Sequence, residues 1–318
     1  VPVVLSGLQK YPVNLTAVVT MFDSGGSSGK LREEFGVLPM GDIRQTLVAL
    51  AKEKDKAREF NSRYAEGDLK GHAKGNIRLK DLAVAKGFSE SISICQKELG
   101  VEEDVIPVTL DGSDIKVELK NGEKLADEES IIDCAHLSET GIARTYLDPE
   151  PKENPRAVAA INEADLIVIG PGKFYTSVIP SFLIPGIKKA VREAKAKKVF
   201  ICNLMTQEGN TDGFSVEDFV AELEKYIGKD VIDYVIFNTG ELSGEAAAEV
   251  KKVFPKAEFI KYGQDLLGKE NFIGEDVLRQ NIRELNPADT MVEGANQRTM
   301  VLHDPQKIAK IILKLCQQ

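Results

Sequence analysis

Four apolar, β-branched runs, at 15–21, 164–169, 198–204 and 231–237, each lead into a polar segment rich in glycine, asparagine or hydroxyl residues. The first of them, 15–21, has the continuous apolar, β-branched composition expected of a strand covered on both faces, as in a parallel sheet with helices on either side, and the other three read as further strands. Ligands of open α/β sheets sit beyond the carboxyl ends of the strands, so the segments that follow these runs are where function is expected. The first is the most informative. After 15–21 come Asp23, Ser24, Gly25, Gly26, Ser27, Ser28 and Gly29, and then a helical segment. Glycines let a ligand approach the backbone, while the hydroxyls of Ser27 and Ser28 and the first N–H groups of the helix suit phosphate oxygens. An ordinary surface turn has the same composition, so this segment alone decides nothing.

Other segments carry related chemistry. Gly41-Asp42-Ile43-Arg44 opens a helix whose Ile43, Leu47 and Leu50 share one side. Asp42 and Asp23 could position a divalent cation, and Arg44 could offset phosphate charge. The segment 52–61 is highly charged and reads as a solvent-facing helix. Gly71, His72, Lys74, Gly75 and Asn76 then precede another helix; His72 can exchange a proton near neutral pH and Lys74 can neutralise a phosphate, or His72 belongs to a solvent-facing helix cap. After the run at 164–169, Gly170 and Gly172 allow close approach, Lys173 offers charge, and Thr176 and Ser177 offer hydroxyls. After 198–204, Asn203, Thr206, Gln207, Thr211 and Asp212 offer amide, hydroxyl and carboxylate groups able to distinguish a base or sugar. Asn238 ends the last run.

Between these units, apolar runs at 105–117 and 131–135 alternate with Asp, Gly and Asn turns, which predicts a strand-rich insertion or sheet extension over 101–147. The rest reads as a single α/β ligand-binding domain spanning 1–318, a size sufficient for one large core. A formal net charge of -9 disfavours a nucleic-acid surface, since bound phosphates call for a basic footprint. No apolar run reaches membrane-spanning length, so no membrane insertion is expected and cytoplasm is the expected location. Cys95, Cys134, Cys202 and Cys316 lack paired-metal spacing and read as reduced thiols, with no metal site expected.

Taken in order, the 20–50 segment, Gly71–Asn76, Gly170–Ser177 and Asn203–Gly213 resemble the YvcK-like gluconeogenesis factors over nearly the whole chain. These are uridine-diphosphate-sugar-binding proteins within the superfamily that includes 2-phospho-L-lactate transferase. The resemblance implies a Rossmann-like, mostly parallel sheet flanked by helices. It also implies a cytoplasmic regulatory protein that links carbon metabolism to cell-envelope synthesis and cell shape, with UDP-N-acetylglucosamine or a related UDP-sugar as ligand and no required cofactor. Gly71, His72, Gly75 and Asn76 become expected site residues on the same ground. A regulatory protein partner and a homo-oligomer are compatible with it.

Three departures from the family pattern stand out: Ser24 follows Asp23 where a second acid is common, Lys173 stands where serine is common, and Asn210 replaces a glutamate. The family also has a first strand and a G-G-G-T-G turn before the helix that 1–11 resembles, and these are expected to be absent from the chain as given. Two alternatives stay open: a Mg-dependent transferase forming a phosphodiester, and a scaffold whose charged helices at 188–198 and 246–252 bind a partner.

Overall fold

Residues 1–22, 25–283 and 299–317 are described by a computed structural model, so the predicted ligand residues Asp23 and Ser24 lie outside the described residues. The strands are β1 (Thr16–Val19), β2 (Asp104–Pro107), β3 (Asp114–Leu119), β4 (Lys124–Leu125), β5 (Ile142–Asp148), β6 (Leu166–Ile169), β7 (Lys197–Ile201), β8 (Tyr234–Asn238) and β9 (Phe272–Glu275). Each of the four apolar runs overlaps one of them.

Strands β6, β7, β8 and β9 form a parallel sheet in chain order. Its central strands alternate between two cores, as a sheet covered on both faces requires. Phe200, Val235 and Phe237 pack into the core shared with helices Pro185–Glu193 and Val216–Ile227. Val199, Ile201 and Ile236 face the opposite core, with Val4 and Leu8 of helix Pro2–Leu8 and Ile308 and Ile312 of helix Pro305–Cys316. Pro305 opens that last helix, and the Asp304 carboxylate caps it by accepting from the N–H groups of Gln306 and Lys307.

Strand β1 pairs in parallel with β2, Ala17 opposite Val105. The crossover between them carries five helices, Gly26–Phe35, Gly41–Leu50, Lys54–Asn61, Lys74–Lys86 and Phe88–Leu99. The charged helix Lys54–Asn61 is amphipathic rather than wholly solvent-facing, because Ala57 and Phe60 are buried against its neighbours. Phe60 also explains Gly75: a Cβ there would lie 2.5 Å from the Phe60 ring and 2.7 Å from its carbonyl oxygen.

The stretch 101–147 holds strands of two different sheets. Its first strand, β2, extends the parallel pairing, and β4, β3 and β5 form a separate antiparallel sheet. One element differs in kind from the strand-rich reading. The apolar Ile131 and Ile132 belong to helix Glu128–Asp133, which starts where Asp127 accepts from the Ser130 N–H and the Ser130 hydroxyl oxygen accepts from the Asp127 N–H. That capping box fixes a helix whatever the β-propensity of the two isoleucines. Among the described residues no helix is long and apolar enough to cross a membrane, and the four cysteines are free thiols.

The two parallel sheets border one cleft of about 2370 Å³. Residues 15–20 and 164–169 are among those that line it. The segments that leave the carboxyl ends of β1, β6 and β7 all reach its wall.

Candidate functional site

Helix Gly26–Phe35 begins at Gly25 without a side-chain cap, and Gly25, Gly26, Ser27 and Ser28 line the cleft. Gly41 and Asp42 place a second helix start on the same wall. Two helix N-termini therefore present N–H dipoles to one space, an arrangement that favours an anionic ligand.

Behind them runs a chain of polar side chains. Arg44, 3% exposed, donates from Nε to Asn76 Oδ1 at 3.0 Å and from a terminal nitrogen to Asn61 Oδ1. Asn76, 2% exposed, donates from Nδ2 to Ser27 Oγ at 3.1 Å, and Ser27 Oγ lies 3.0 Å from His72 Nδ1. Chemistry sets the directions. A guanidinium only donates, so Asn76 must present its oxygen to Arg44 and its nitrogen to Ser27. The Ser27 hydroxyl hydrogen is then left for His72 Nδ1, which accepts only when that nitrogen carries no proton. Burial, and next the charge of Lys30, lower the His72 pKa in keeping with a neutral ring. Ser27 and His72 meet across 45 residues of sequence, a pairing no spacing rule reveals.

The opposite wall is built differently. Gly170, Gly172, Lys173 and Ser177 line the cleft, followed by a wide π-type turn over Phe174–Val178 and a 3₁₀ turn over Ile179–Leu183. Asn203 holds this segment by its backbone, donating to the Gly172 carbonyl at 2.9 Å and accepting from the Gly172 N–H at 3.4 Å. Lys173 Nζ and Thr176 Oγ1 reach the buried carboxylate of Glu128 at 3.4 and 3.3 Å. Thr206 lines the cleft while its hydroxyl accepts from the Glu258 N–H. Gln207 also lines it, and its N–H donates to the Thr211 hydroxyl.

Two residues that line this cleft each carry a buried polar atom with no hydrogen-bond partner among the described residues: Thr20 Oγ1, just after β1, and Gln207 Nε2, beyond β7. A buried polar group without a partner is uncommon and calls for a ligand or water.

Several expected residues sit elsewhere. Gly71 and His72 lie behind the cleft wall; the Gly71 carbonyl accepts from Arg63 at 2.6 Å. Gly75 serves helix packing, and Thr176 and Thr211 are buried off the cleft. Asp212 is exposed and accepts from the Gly209 N–H and the Ser138 hydroxyl. Asn238 closes a turn by accepting from the N–H groups of Gly240 and Val277. Thr20, Lys30, Asn61 and Glu128 were not expected at the site. Thr20 follows the first apolar run, a position the strand-end rule already marks.

Residues 1–271 match the family model described as 2-phospho-L-lactate transferase CofD. A protein of Clostridium acetobutylicum, provisionally named a gluconeogenesis factor, is 37% identical over 98% of this chain and 66% of its own length. The chain thus spans just under two thirds of that relative. The gluconeogenesis factor of Listeria monocytogenes is 40% identical over 75% of this chain and 74% of its own length. A crystal structure of a Bacillus halodurans protein superposes with a TM-score of 0.84 at 33% identity, covering 98% of this chain and 95% of that one. Agreement in sequence over most of the chain and in backbone over nearly all of it leads to one assignment: the chain belongs to the CofD family and, within it, to the gluconeogenesis-factor group.

Proposed function

We propose that this chain is a nucleotide-sugar-binding regulatory protein of the cytoplasm, tying carbon metabolism to cell-envelope synthesis and cell shape, with UDP-N-acetylglucosamine or a close UDP-sugar as its ligand. The observation that carries the reading is the pair of helix N-termini that open onto one cleft, among whose lining residues Thr20 and Gln207 each hold a buried polar atom without a hydrogen-bond partner among the described residues. The helix starts at 25–28 and 41–42 suit a diphosphate. Amide and hydroxyl groups at 203–207 suit a sugar or base, because such groups discriminate by complementary hydrogen bonds without needing charge. Ligand binding in this reading biases contact with a regulatory protein or between copies of the chain. The name shared by the relatives supports the metabolic side of it.

A second reading follows from the family model's description: a Mg-dependent transferase that forms a phosphodiester. The Ser27–His72 pair has the separation of a nucleophile and its base. Against that use, the same hydroxyl oxygen already accepts from Asn76, and His72 is not among the residues that line the cleft. A magnesium ion would draw on Asp42, the member of the Asp23–Asp42 pair whose place is described.

Titration calorimetry with UDP-N-acetylglucosamine, UDP and a purine diphosphate, followed by mass-spectrometric product analysis with and without Mg²⁺, tests both. Saturable UDP-sugar binding with the sugar recovered intact is expected. An ion-dependent phosphodiester product would replace the regulatory reading by the transferase, and failure of every nucleotide sugar to bind would remove both the ligand and the regulatory proposal.

A further inference from the structure

Outside the cleft, three side chains of different chemistry bring metal-ligating atoms together. Strand β3 turns at Asn121 and Gly122 and leads to Glu123, just before β4. Helix Glu128–Asp133 ends at Cys134, and His136 follows immediately before the short turn Leu137–Thr140. Glu123 Oε2 lies 2.7 Å from His136 Nε2, and Cys134 Sγ lies 3.8 Å from the same nitrogen. The ligand atoms of all three residues lie within 4.8 Å of one another.

We propose that Glu123, Cys134 and His136 form a three-ligand site for a zinc-class divalent cation. Thiolate, imidazole and carboxylate together suit Zn²⁺, whereas Mg²⁺ and Ca²⁺ call for oxygen donors. Distances agree with a tetrahedral ion: bonds of about 2.3 Å to sulfur and about 2.0 Å to nitrogen place those two atoms about 3.6 Å apart. The observed 3.8 Å needs no rearrangement of Cys134 against His136. Glu123 must withdraw by roughly 0.6 Å, since an ion between it and His136 would hold their ligand atoms about 3.3 Å apart. Both side chains have room to adjust, being 40% and 46% exposed, and that exposure also gives the ion a path from solvent. On binding, the thiol releases its proton, and the imidazole presents an unprotonated Nε2, either by tautomer exchange or by proton loss.

The site reaches the cleft through backbone. Helix Glu128–Asp133, which ends at Cys134, begins with the carboxylate that holds Lys173 and Thr176. On its other side the Gly209 backbone packs so closely on Cys134 that a Cβ at 209 would come within 2.5 Å of the Cys134 carbonyl oxygen. The Ser138 N–H donates to the Gly209 carbonyl at 2.8 Å. An ion here would therefore clip the β3–β4 hairpin to the segment that carries Gln207.

The test is zinc itself, titrated into the metal-free, reduced full chain by competition with a chromophoric chelator, with Co²⁺ as the spectroscopic probe. One equivalent of zinc, and a thiolate-to-cobalt charge-transfer band with tetrahedral visible bands, are expected. His136→Gln, at an exposed position, and Cys134→Ser should each weaken zinc binding about 100-fold or more, and Glu123→Gln about 10-fold. Cys316→Ser should leave it unchanged, since Cys316 lies outside the cluster. Should Cys134→Ser unfold, judged by circular dichroism, His136→Gln carries the test alone. Absence of zinc binding at micromolar concentration, or binding and a charge-transfer band that persist in His136→Gln, would overturn the site.

Discussion

The wall of the cleft built by the β1–β2 crossover bonds its polar side chains to one another, whereas the wall built beyond β6 and β7 bonds them largely to backbone. Arg44, Asn76, Ser27 and His72 form one chain on the first wall. On the second, Asn203 grips Gly172 and Thr206 grips Glu258, each through a main-chain group. The first arrangement depends on chemical identity at every link. The second depends on keeping a loop in shape, and a single loss there is more easily absorbed.

That contrast is broken or sharpened most directly at Arg44. Replacing it by alanine leaves the buried Asn76 oxygen, and the oxygen of Asn61 at the surface, without that donor. Losing two charge-assisted bonds should destabilise the fold by about 4 kcal/mol, measured by urea unfolding. A loss below about 1 kcal/mol would mean that the chain is ornamental and that the two walls do not differ.

The next largest effect lies at His303, beside the end of β7. His303, buried with its Nε2 3.1 Å from the Cys202 carbonyl, has its pKa pushed down to about 4, mainly by burial. Its ring is neutral in the folded chain, and below pH of about 6.5 the unfolded chain takes up the proton instead. The unfolded state then binds more protons, so this contribution is complete above about 6.5 and is lost as pH falls towards 4. The loss should approach roughly 3 kcal/mol. Unfolding free energies from pH 7 to 4 should fall more steeply in the parent than in His303→Gln; parallel curves would count against a neutral buried ring.

Asn203→Ala tests the grip on Gly172. It should cost about 2 kcal/mol or less, because two neutral bonds are lost beside a cleft that water can enter. UDP-sugar affinity should fall together with protection of the Gly172 amide in hydrogen exchange. Unchanged exchange would show that something other than Asn203 shapes the segment. Smallest of all, Asp212→Ala should move the melting midpoint by no more than about 2 °C and leave ligand titrations unaltered, since the carboxylate is exposed and off the cleft. A large loss of affinity would return Asp212 to the binding residues.

The parallel strands were legible because a sheet packed on both faces leaves a local trace: 166–169 and 235–237 are unbroken stretches of apolar residues. The helix at Glu128–Asp133 was less so. Its two isoleucines read as strand, while its capping box occupies only four residues. At the site, glycines and hydroxyls marked the loops, but composition does not say which partner each residue meets. Gly75 could be picked out as special, and the cause, a ring at position 60, could not. Ser27 with His72, and Gly172 with Asn203, are joined only once the sheets are assembled. Distances of that kind are properties of topology, and a single sequence carries no measure of them.

The direction of the chain from Arg44 to His72 bears on how such a sequence can drift. Arg44 only gives hydrogen atoms; Asn76 and Ser27 each receive one and pass one on; His72 receives. A replacement that reverses one link leaves two donors or two acceptors face to face at the next, among side chains that are almost wholly buried. A change at position 27, 44, 72 or 76 therefore calls for a matching change at its neighbour in the chain, a demand that the exposed Asp212 does not carry.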